Sequence, residues 1–353
     1  MGSSLAPSPH QAGPVLSPQD RAIFAALQTD GRMAFTTVAE RVGMSEAHVR
    51  RRYEWLTESS AFVVTAVADP GVLGLKCLAW IGIVVRPGST EEVARALVAL
   101  SGVDYVVISS GRYTVMAEIA CPDAADLERI LLDLRGIDGI VRTETFMYLK
   151  LVRQQFQWLL PEGGDSEPPV GTSPAEDNPR QLDALDIAII RELEHDGRAS
   201  FRDIGRKLDV SERTVSSRFS QLNAERVLKV IAVGNPLNLG FNSMAWLGIN
   251  LNSGADYDAV TRALATIPAI DYVVVPAGRY DVMAELVCRD PATMLRTLTD
   301  EIGAITDIAH VEPFVYLKLL YKSTAGAWGV GRSLAAPRKT TRQNGSGPIT
   351  SPA

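Results

Sequence analysis

A chain of 353 residues has room for two or more domains, each able to bury its own core. Its 46% hydrophobic and 22% charged residues are ordinary for globular protein. No apolar run reaches the ~18 residues of a membrane span. Residues 1–14 lack the charged-then-apolar pattern of a signal peptide. Cys77, Cys121 and Cys288 have no metal-ligand spacing, which points away from a disulfide framework or a zinc site and towards a reducing cytoplasm. The formal net charge of −6 by itself speaks against a nucleic-acid partner, so the distribution of charge carries the argument.

Residues 1–15 are expected to be disordered. Three helical patterns follow in 16–62: Ile23 and Leu27, then Phe35, Val38 and Val42, then Val49, Tyr53 and Leu56 behind an N-capping Ser45. Three short helices with a tight last connection describe a helix-turn-helix. The third helix carries His48, Arg50, Arg51 and Arg52 away from its apolar stripe. Next, in 63–160, come a strand at 78–85, a helix at 90–100, strands at 104–109 and 113–120, a helix at 123–134 and a long strand at 140–152. That order, β-α-β-β-α-β, is a ferredoxin-like α/β sandwich with one open sheet face. Residues 161–181 hold Pro, Gly, Glu and Asp with almost no apolar side chains, and are expected to be a flexible linker.

After the linker the pattern starts again. A helix-turn-helix is expected at 182–228, with Leu185, Ile189, Ile190 and Leu193, then Phe201, Ile204 and Leu208, then Ser211 capping a stripe of Val215, Phe219 and Leu222. An α/β unit at 229–322 repeats the elements at 244–251, 257–267, 271–275, 280–288, 292–302 and 306–321. Residues 323–353 form a basic tail, expected to be disordered, with Arg332, Arg338, Lys339 and Arg342 and no acid.

The two halves are one unit written twice. Leu16 recurs as Leu182, 166 positions later, and Asp30-Gly31-Arg32 as Asp196-Gly197-Arg198. Ala79-Trp80 recurs as Ala245-Trp246. The offset then becomes 167, pairing Gly111-Arg112-Tyr113 with Gly278-Arg279-Tyr280, and finally 168, pairing Tyr148-Leu149-Lys150 with Tyr316-Leu317-Lys318. Single-residue slips belong in turns, and the whole is a tandem duplication. The fold class is therefore α+β: two tandem copies of a winged-type helix-turn-helix plus a ferredoxin-like βαββαβ domain. Two open sheet faces in one chain are expected to cover each other as an intrachain pseudo-dimer, with further homo-oligomers.

The run Asp-Gly-Arg, then Ser-Glu-x-x-Val-x-x-Arg-x-x-x-Leu, then Asn/Asp-Pro-x-x-Leu-Gly before an α/β domain bearing Gly-x-Tyr, resembles the leucine-responsive regulator (Lrp/AsnC) family in double-length form. The resemblance implies transcription control, with double-stranded DNA as partner and an amino acid or similar small effector sensed by the α/β domains. The four histidines, His10, His48, His195 and His310, are scattered, so no metal cluster or catalytic triad is read, and no cofactor is expected. Copy two keeps Gly-x-Tyr-Asp, whereas copy one has Thr114 in place of Asp281. Copy one also lacks the glycine common after the third helix.

The candidate DNA-binding residues are Ser45, His48, Arg51 and Arg52 in copy one, and Ser211, Arg213, Thr214, Ser217 and Arg218 in copy two. They are polar and lie opposite the buried stripes. The windows around both third helices are net positive in an acidic chain. The candidate effector site is Gly278, Arg279, Tyr280 and Asp281, with Gly111, Arg112 and Tyr113 as its counterpart. A guanidinium can hold a carboxylate bidentately, and Asp281 could take the ammonium of a zwitterion. Glycine at these turns also fits a plain β-β connection. Two rival readings exist. A siroheme-decarboxylase-like enzyme would be expected to show histidine and Tyr-Asn-x-Trp on the Tyr-bearing strand. The strands here read Tyr-Thr-Val-Met and Tyr-Asp-Val-Met, so no catalytic residue is assigned. A ligand-binding protein without DNA binding is disfavoured by the basic third helices.

Overall fold

The computed structural model describes residues 16–154 and 182–322, apart from 60, 69, 72 and 235, and apart from the side chains of 104, 237, 238, 321 and 322. The expectations for 1–15, 161–181 and 323–353 lie outside these residues.

Each copy opens with three helices: α1 Pro18–Thr29, α2 Phe35–Val42 and α3 Glu46–Glu58 in the first. Ser17 caps α1 in a reciprocal box with Asp20, Pro18 sits in the first turn, and Gly43 ends α2 in the left-handed conformation. Strand β1, Phe62–Ala68, follows. The first α/β unit comprises β2 Cys77–Val85, α4 Thr90–Val98, β3 Val103–Ser109, β4 Val115–Cys121, α5 Ala124–Arg135 and β5 Ile140–Gln154. The second copy repeats this with α6 Ala184–His195, α7 Phe201–Leu208, α8 Glu212–Ala224 and β6 Leu228–Gly234. Then come β7 Ser243–Leu251, α9 Tyr257–Thr266, β8 Ile270–Ala277, β9 Val282–Cys288, α10 Pro291–Arg296 and β10 Ile308–Lys322. Where one helix was expected at 292–302, α10 passes into a π-helical turn, Thr297–Ile302.

Sequence periodicity gave no sign of β1 and β6. They pair antiparallel with each other, Phe62 opposite Gly234 and Thr65 opposite Ile231, forming a two-stranded ribbon that joins the copies. Their buried side chains share one core with the helices, including Phe24, Leu27, Phe62, Val64, Ile190, Leu193 and Val230. The expected boundary at 62/63 thus falls at the start of a strand that packs with the helical layer.

The eight remaining strands close into one barrel, ordered β10-β3-β4-β2-β5-β8-β9-β7. Each copy supplies four adjacent strands. The long last strand of each crosses to the other copy, β5 pairing with β8 and β10 with β3. Face-to-face covering was expected; the structure adds edge pairing, which leaves neither copy with an open sheet edge. The alternate side chains of each strand then divide. One set faces α4 and α5, or α9 and α10, in two separate cores. The other set points into the barrel, where Trp80 and Trp246 meet with ring centroids 4.6 Å apart. Cys77 and Cys121 lie opposite one another on β2 and β4 as free, buried thiols.

Candidate functional site

The third helices present their polar faces to solvent because Val49 and Leu56, and Val215 and Leu222, hold the opposite faces in the core. Ser45 and Ser211 are N-caps: their hydroxyl oxygens accept from the backbone N–H groups of His48 and Thr214. Ser211 and Thr214 hydroxyls also bond to each other at 2.7 Å. His48, Arg51, Arg213 and Ser217 are exposed. Arg51 and Arg213 make no ion pair among the described residues, so both charges are available to an anion. Arg213 and Ser217, with Glu212 and Ser216, line an open depression on α8.

Arg52 and Arg218 differ from these. The Arg52 guanidinium binds the buried Asp20 carboxylate through two hydrogen bonds, 2.8 and 2.7 Å, and lies 4.3 Å from the Trp55 ring. Arg218 reaches Asp183 at 2.7 Å and Asp186 at 3.1 Å. Both arginines therefore tie the third helix to the N-terminal cap of the first. Burial works to raise the Asp20 pKa, but the bonds from Arg52 and Ser17 outweigh it and hold the carboxyl below its ordinary value.

The Asp-Gly-Arg turns, read in the sequence as part of the repeat and as a family mark, join the two heads. Arg32 donates to the carbonyls of Gly197 and Ala199, and Arg198 to those of Gly31 and Met33. Arg32 also stacks 4.3 Å from the Phe201 ring, and Arg198 4.2 Å from Phe35. The glycine N–H groups bond to the ribbon, Gly31 to Val230 O and Gly197 to Val64 O. A Cβ on Gly197 would lie 2.8 Å from the Thr65 nitrogen, and one on Gly31 2.8 Å from Val64. Only glycine allows this approach.

At the effector candidates the structure supplies protein partners. Gly111 and Gly278 have positive φ, and strands β4 and β9 begin only after Tyr113 and Tyr280. Arg279 binds Glu144 of β5 at 2.6 Å, and Arg112 binds Glu312 of β10 at 3.0 Å, so each turn arginine crosses to the other copy. The same carboxylates accept from the buried tyrosines, Tyr113 to Glu144 and Tyr280 to Glu312, both at 2.7 Å. Burial, then the bond to Glu312, pushes the Tyr280 phenol up to about 12. Burial also works to raise Glu144, but Arg279 and Tyr113 hold it below its ordinary value. Asp281 instead faces α9, accepting from Tyr257 at 2.6 Å and from Leu251 N at 2.9 Å. Arg279 and Asp281 are not brought together into one clamp.

Glu118 and Glu285 stand at matching positions of β4 and β9. Both are buried. Glu118 accepts from Tyr148 at 2.7 Å and from Tyr272 of the other copy at 2.9 Å. Glu285 accepts from Tyr316 and from Tyr105 of the other copy, both at 2.6 Å. Burial, then the Glu285 charge, drives the Tyr105 and Tyr316 phenols well above their ordinary value. These polar clusters knit the barrel from inside. Their signal in the sequence was the matched Met-Ala-Glu of both copies.

Comparison with known proteins bears on this tandem arrangement. The AsnC-type helix-turn-helix domain matches residues 16–57 and 182–223, and the Lrp/AsnC ligand binding domain matches 78–158 and 244–325. Together they account for well over half of the chain. The chain belongs to the Lrp/AsnC family. It carries two DNA-binding helix-turn-helix domains and two ligand-binding domains of this family of transcriptional regulators. The HTH-type transcriptional regulator FL11 of Pyrococcus furiosus is 30% identical over 141 residues, 40% of this chain and 93% of the relative. The HTH-type transcriptional regulator LrpA of Pyrococcus horikoshii is 32% identical over 130 residues, 36% of this chain and 92% of the relative. Each such relative therefore corresponds to about one copy here. Over the full tandem length, the crystal structure of the siroheme decarboxylase NirDL superposes with a TM-score of 0.57 at 17% identity, covering 86% of this chain and 92% of that one. At that identity the likeness is one of fold alone. No helix of the described residues is long and apolar enough to cross a membrane.

Proposed function

We propose that this Lrp/AsnC-family chain is a non-catalytic regulator in which one polypeptide does the work of a dimer, with α3 and α8 as paired recognition helices. His48 and Arg51, and Arg213, Thr214 and Ser217, face the duplex. Ser45 and Ser211 hold the first turns of these helices. Arg52 and Arg218 are positioning residues that fix each third helix against its first. The observation that carries this reading is the reciprocal lock between the heads, Arg32 on Gly197 and Ala199 and Arg198 on Gly31 and Met33. Two heads fixed by pseudo-symmetry suit two half-sites roughly one helical turn apart, ~34–36 Å, or a multiple of it.

The effector in this reading is an amino acid or related carboxylate. It enters at the Gly-Arg-Tyr turns and competes with Glu144 for Arg279, or with Glu312 for Arg112. Both ion pairs are partly exposed, with arginine side chains 39% and 38% accessible, so exchanging one carboxylate for another costs little. Because both pairs join the copies, occupancy is felt across the barrel. Calorimetric titration of the wild type, Arg279→Ala and Arg112→Ala against a panel of amino acids tests the site. A wild-type ligand whose affinity neither substitution alters would place the effector elsewhere. The decarboxylase reading has only the fold likeness behind it. Among the described residues no histidine projects into the barrel core, His310 on β10 being exposed.

A further inference from the structure

Between the two heads lies a cavity of about 190 Å³, distinct from both the third-helix faces and the effector turns. Tyr53 and Thr57 of α3 and Val63 and Val64 of β1 form one wall; Glu194, His195 and Asp196 at the end of α6 form the other. The first wall belongs to copy one and the second to copy two. Glu194 is 5% exposed. Among the described residues its backbone carbonyl accepts from Thr65, but its carboxyl oxygens accept no hydrogen bond. Arg191, exposed one turn back on α6, acts on the carboxyl only at a distance. The largely buried Glu194 side chain thus brings to the cavity wall a carboxyl that has no protein donor among the described residues.

The duplication supplies an internal comparison. At the position equivalent to Glu194, copy one has Gln28, fully buried. The equivalent cleft on that side, about 700 Å³, is lined by Arg32, Arg226 and Lys229 with a single acid, Asp30. The buried carboxyl and acidic lining are thus peculiar to one of two sites at equivalent places in the repeat, where Lys229 and Asn223 stand for Val63 and Thr57 in the wider cleft. The backbone does not require them, since the same fold accepts an amide.

We propose that the cavity between α3, β1 and the end of α6 binds a small alkylammonium ion, its charged end on the Glu194 carboxylate and its apolar end against Tyr53 and Val63. The ammonium donates to the oxygens that the protein leaves without donors, and the Thr57 hydroxyl stands at the wall; Asp196, also on the wall, shares its charge with Arg32 and Arg198. Since the walls come from different copies, an occupant ties the third helix of one head to the first helix of the other.

Burial pushes the Glu194 carboxyl up to about 7, so binding is linked to loss of its proton. Below that value a cation must first displace the proton, and affinity rises by about tenfold per pH unit until it levels off above ~7. The other charged and titratable groups around the cavity, His195, Asp196 and Tyr53 on its walls, Arg32 and Arg198 beside Asp196, and Arg191 beyond, stay in place in the variants below.

The test is calorimetric and ligand-observed NMR titration of the full chain with n-propylammonium chloride at pH 5.5, 6.5 and 8.0, with 1-propanol as the neutral control. The expected result is saturable binding of propylammonium that strengthens with pH, at least tenfold weaker in Glu194→Gln, and no binding of 1-propanol. Gln28 in the matching site indicates that the amide is tolerated, and an unchanged helical circular dichroism signal verifies it. Thr57→Leu narrows the cavity without touching the carboxyl, and its hydroxyl bonds only to carbonyls of its own helix. It should also weaken binding. No saturable binding at pH 8.0, or equal affinity in both variants and the wild type, would overturn the proposal.

Discussion

Two arginines one residue apart on α3 have different duties. Arg51 is exposed and unpaired among the described residues, whereas Arg52 neutralises a carboxylate that is 1% exposed. Arg52→Ala should therefore destabilise the fold by roughly 1–3 kcal/mol, by leaving Asp20 buried without its partner. DNA affinity would fall with it, through a loosened helix. Arg51→Ala and Arg213→Ala should leave stability unchanged, weaken DNA binding, and each flatten the salt slope by about one unit. Denaturant melts and anisotropy titrations at several salt concentrations separate the two groups. Glu194 gives a pH-dependent case. Its folded pKa of about 7 lies above the unfolded carboxyl value of ~4.3, so the folded state retains a proton the unfolded state has lost. Stability should fall as pH rises from ~4.3 to about 7 and then stay level. Glu194→Gln should gain stability over the wild type across that window, by up to roughly 3 kcal/mol at pH 8, and match it below pH 4. Melts that show the same difference at both pH values would contradict this. The sequence showed which residues were polar and opposite a buried stripe. It could not separate Arg51 from Arg52, because the partner of Arg52 stands 32 residues away on another helix.

At the scale of elements, the order of helices and strands was legible because 3.6-residue and two-residue periodicities are strong in these segments. Observed boundaries mostly fall within two residues of the expected ones. The ribbon of β1 and β6 was not legible. Phe62–Ala68 is buried at nearly every position, so it has no alternation to read, and its pairing partner lies in the other copy. The Asp-Gly-Arg turns depend on that ribbon. Gly197→Ala would place a methyl 2.8 Å from the Thr65 nitrogen, and the backbone there cannot give way without breaking the Gly197–Val64 hydrogen bond. We expect about 1–3 kcal/mol of lost stability, with faster proteolysis between heads and barrel. Barrel melting followed through Trp80 and Trp246 fluorescence should shift less than melting of the helical layer. Equal shifts would mean that the heads have no separate lock.

For the whole molecule, the duplication forecast a pseudo-dimer. It did not forecast a closed barrel, because periodicity says which face of a strand is apolar and not which edge it will pair with. The turn arginines were similarly half legible. Their chemistry was right for a carboxylate, but the carboxylates that hold them, Glu144 and Glu312, come from the opposite copy. With two strand pairings, two Glu-Tyr clusters and the ribbon all crossing between copies, cleavage within residues 161–181 should not release the halves. Native mass spectrometry of the nicked protein should record both fragments as one particle with both heads still able to bind DNA. Separate fragments at micromolar concentration would count against an intrachain barrel.

In the proposed arrangement one chain presents two DNA-binding helices as a fixed pair. The most direct measurement begins by selecting a DNA site from genomic fragments with the full chain. Binding to that site is then titrated as a function of salt for the wild type, Arg51→Ala, Arg213→Ala and the double variant, with footprinting of the wild-type complex. A fixed pair should protect two half-sites a whole number of helical turns apart, with salt slopes reduced by about one unit in each single variant and by about two in the double. Protection of a single half-site, or affinity and slope unchanged in the double variant, would contradict it.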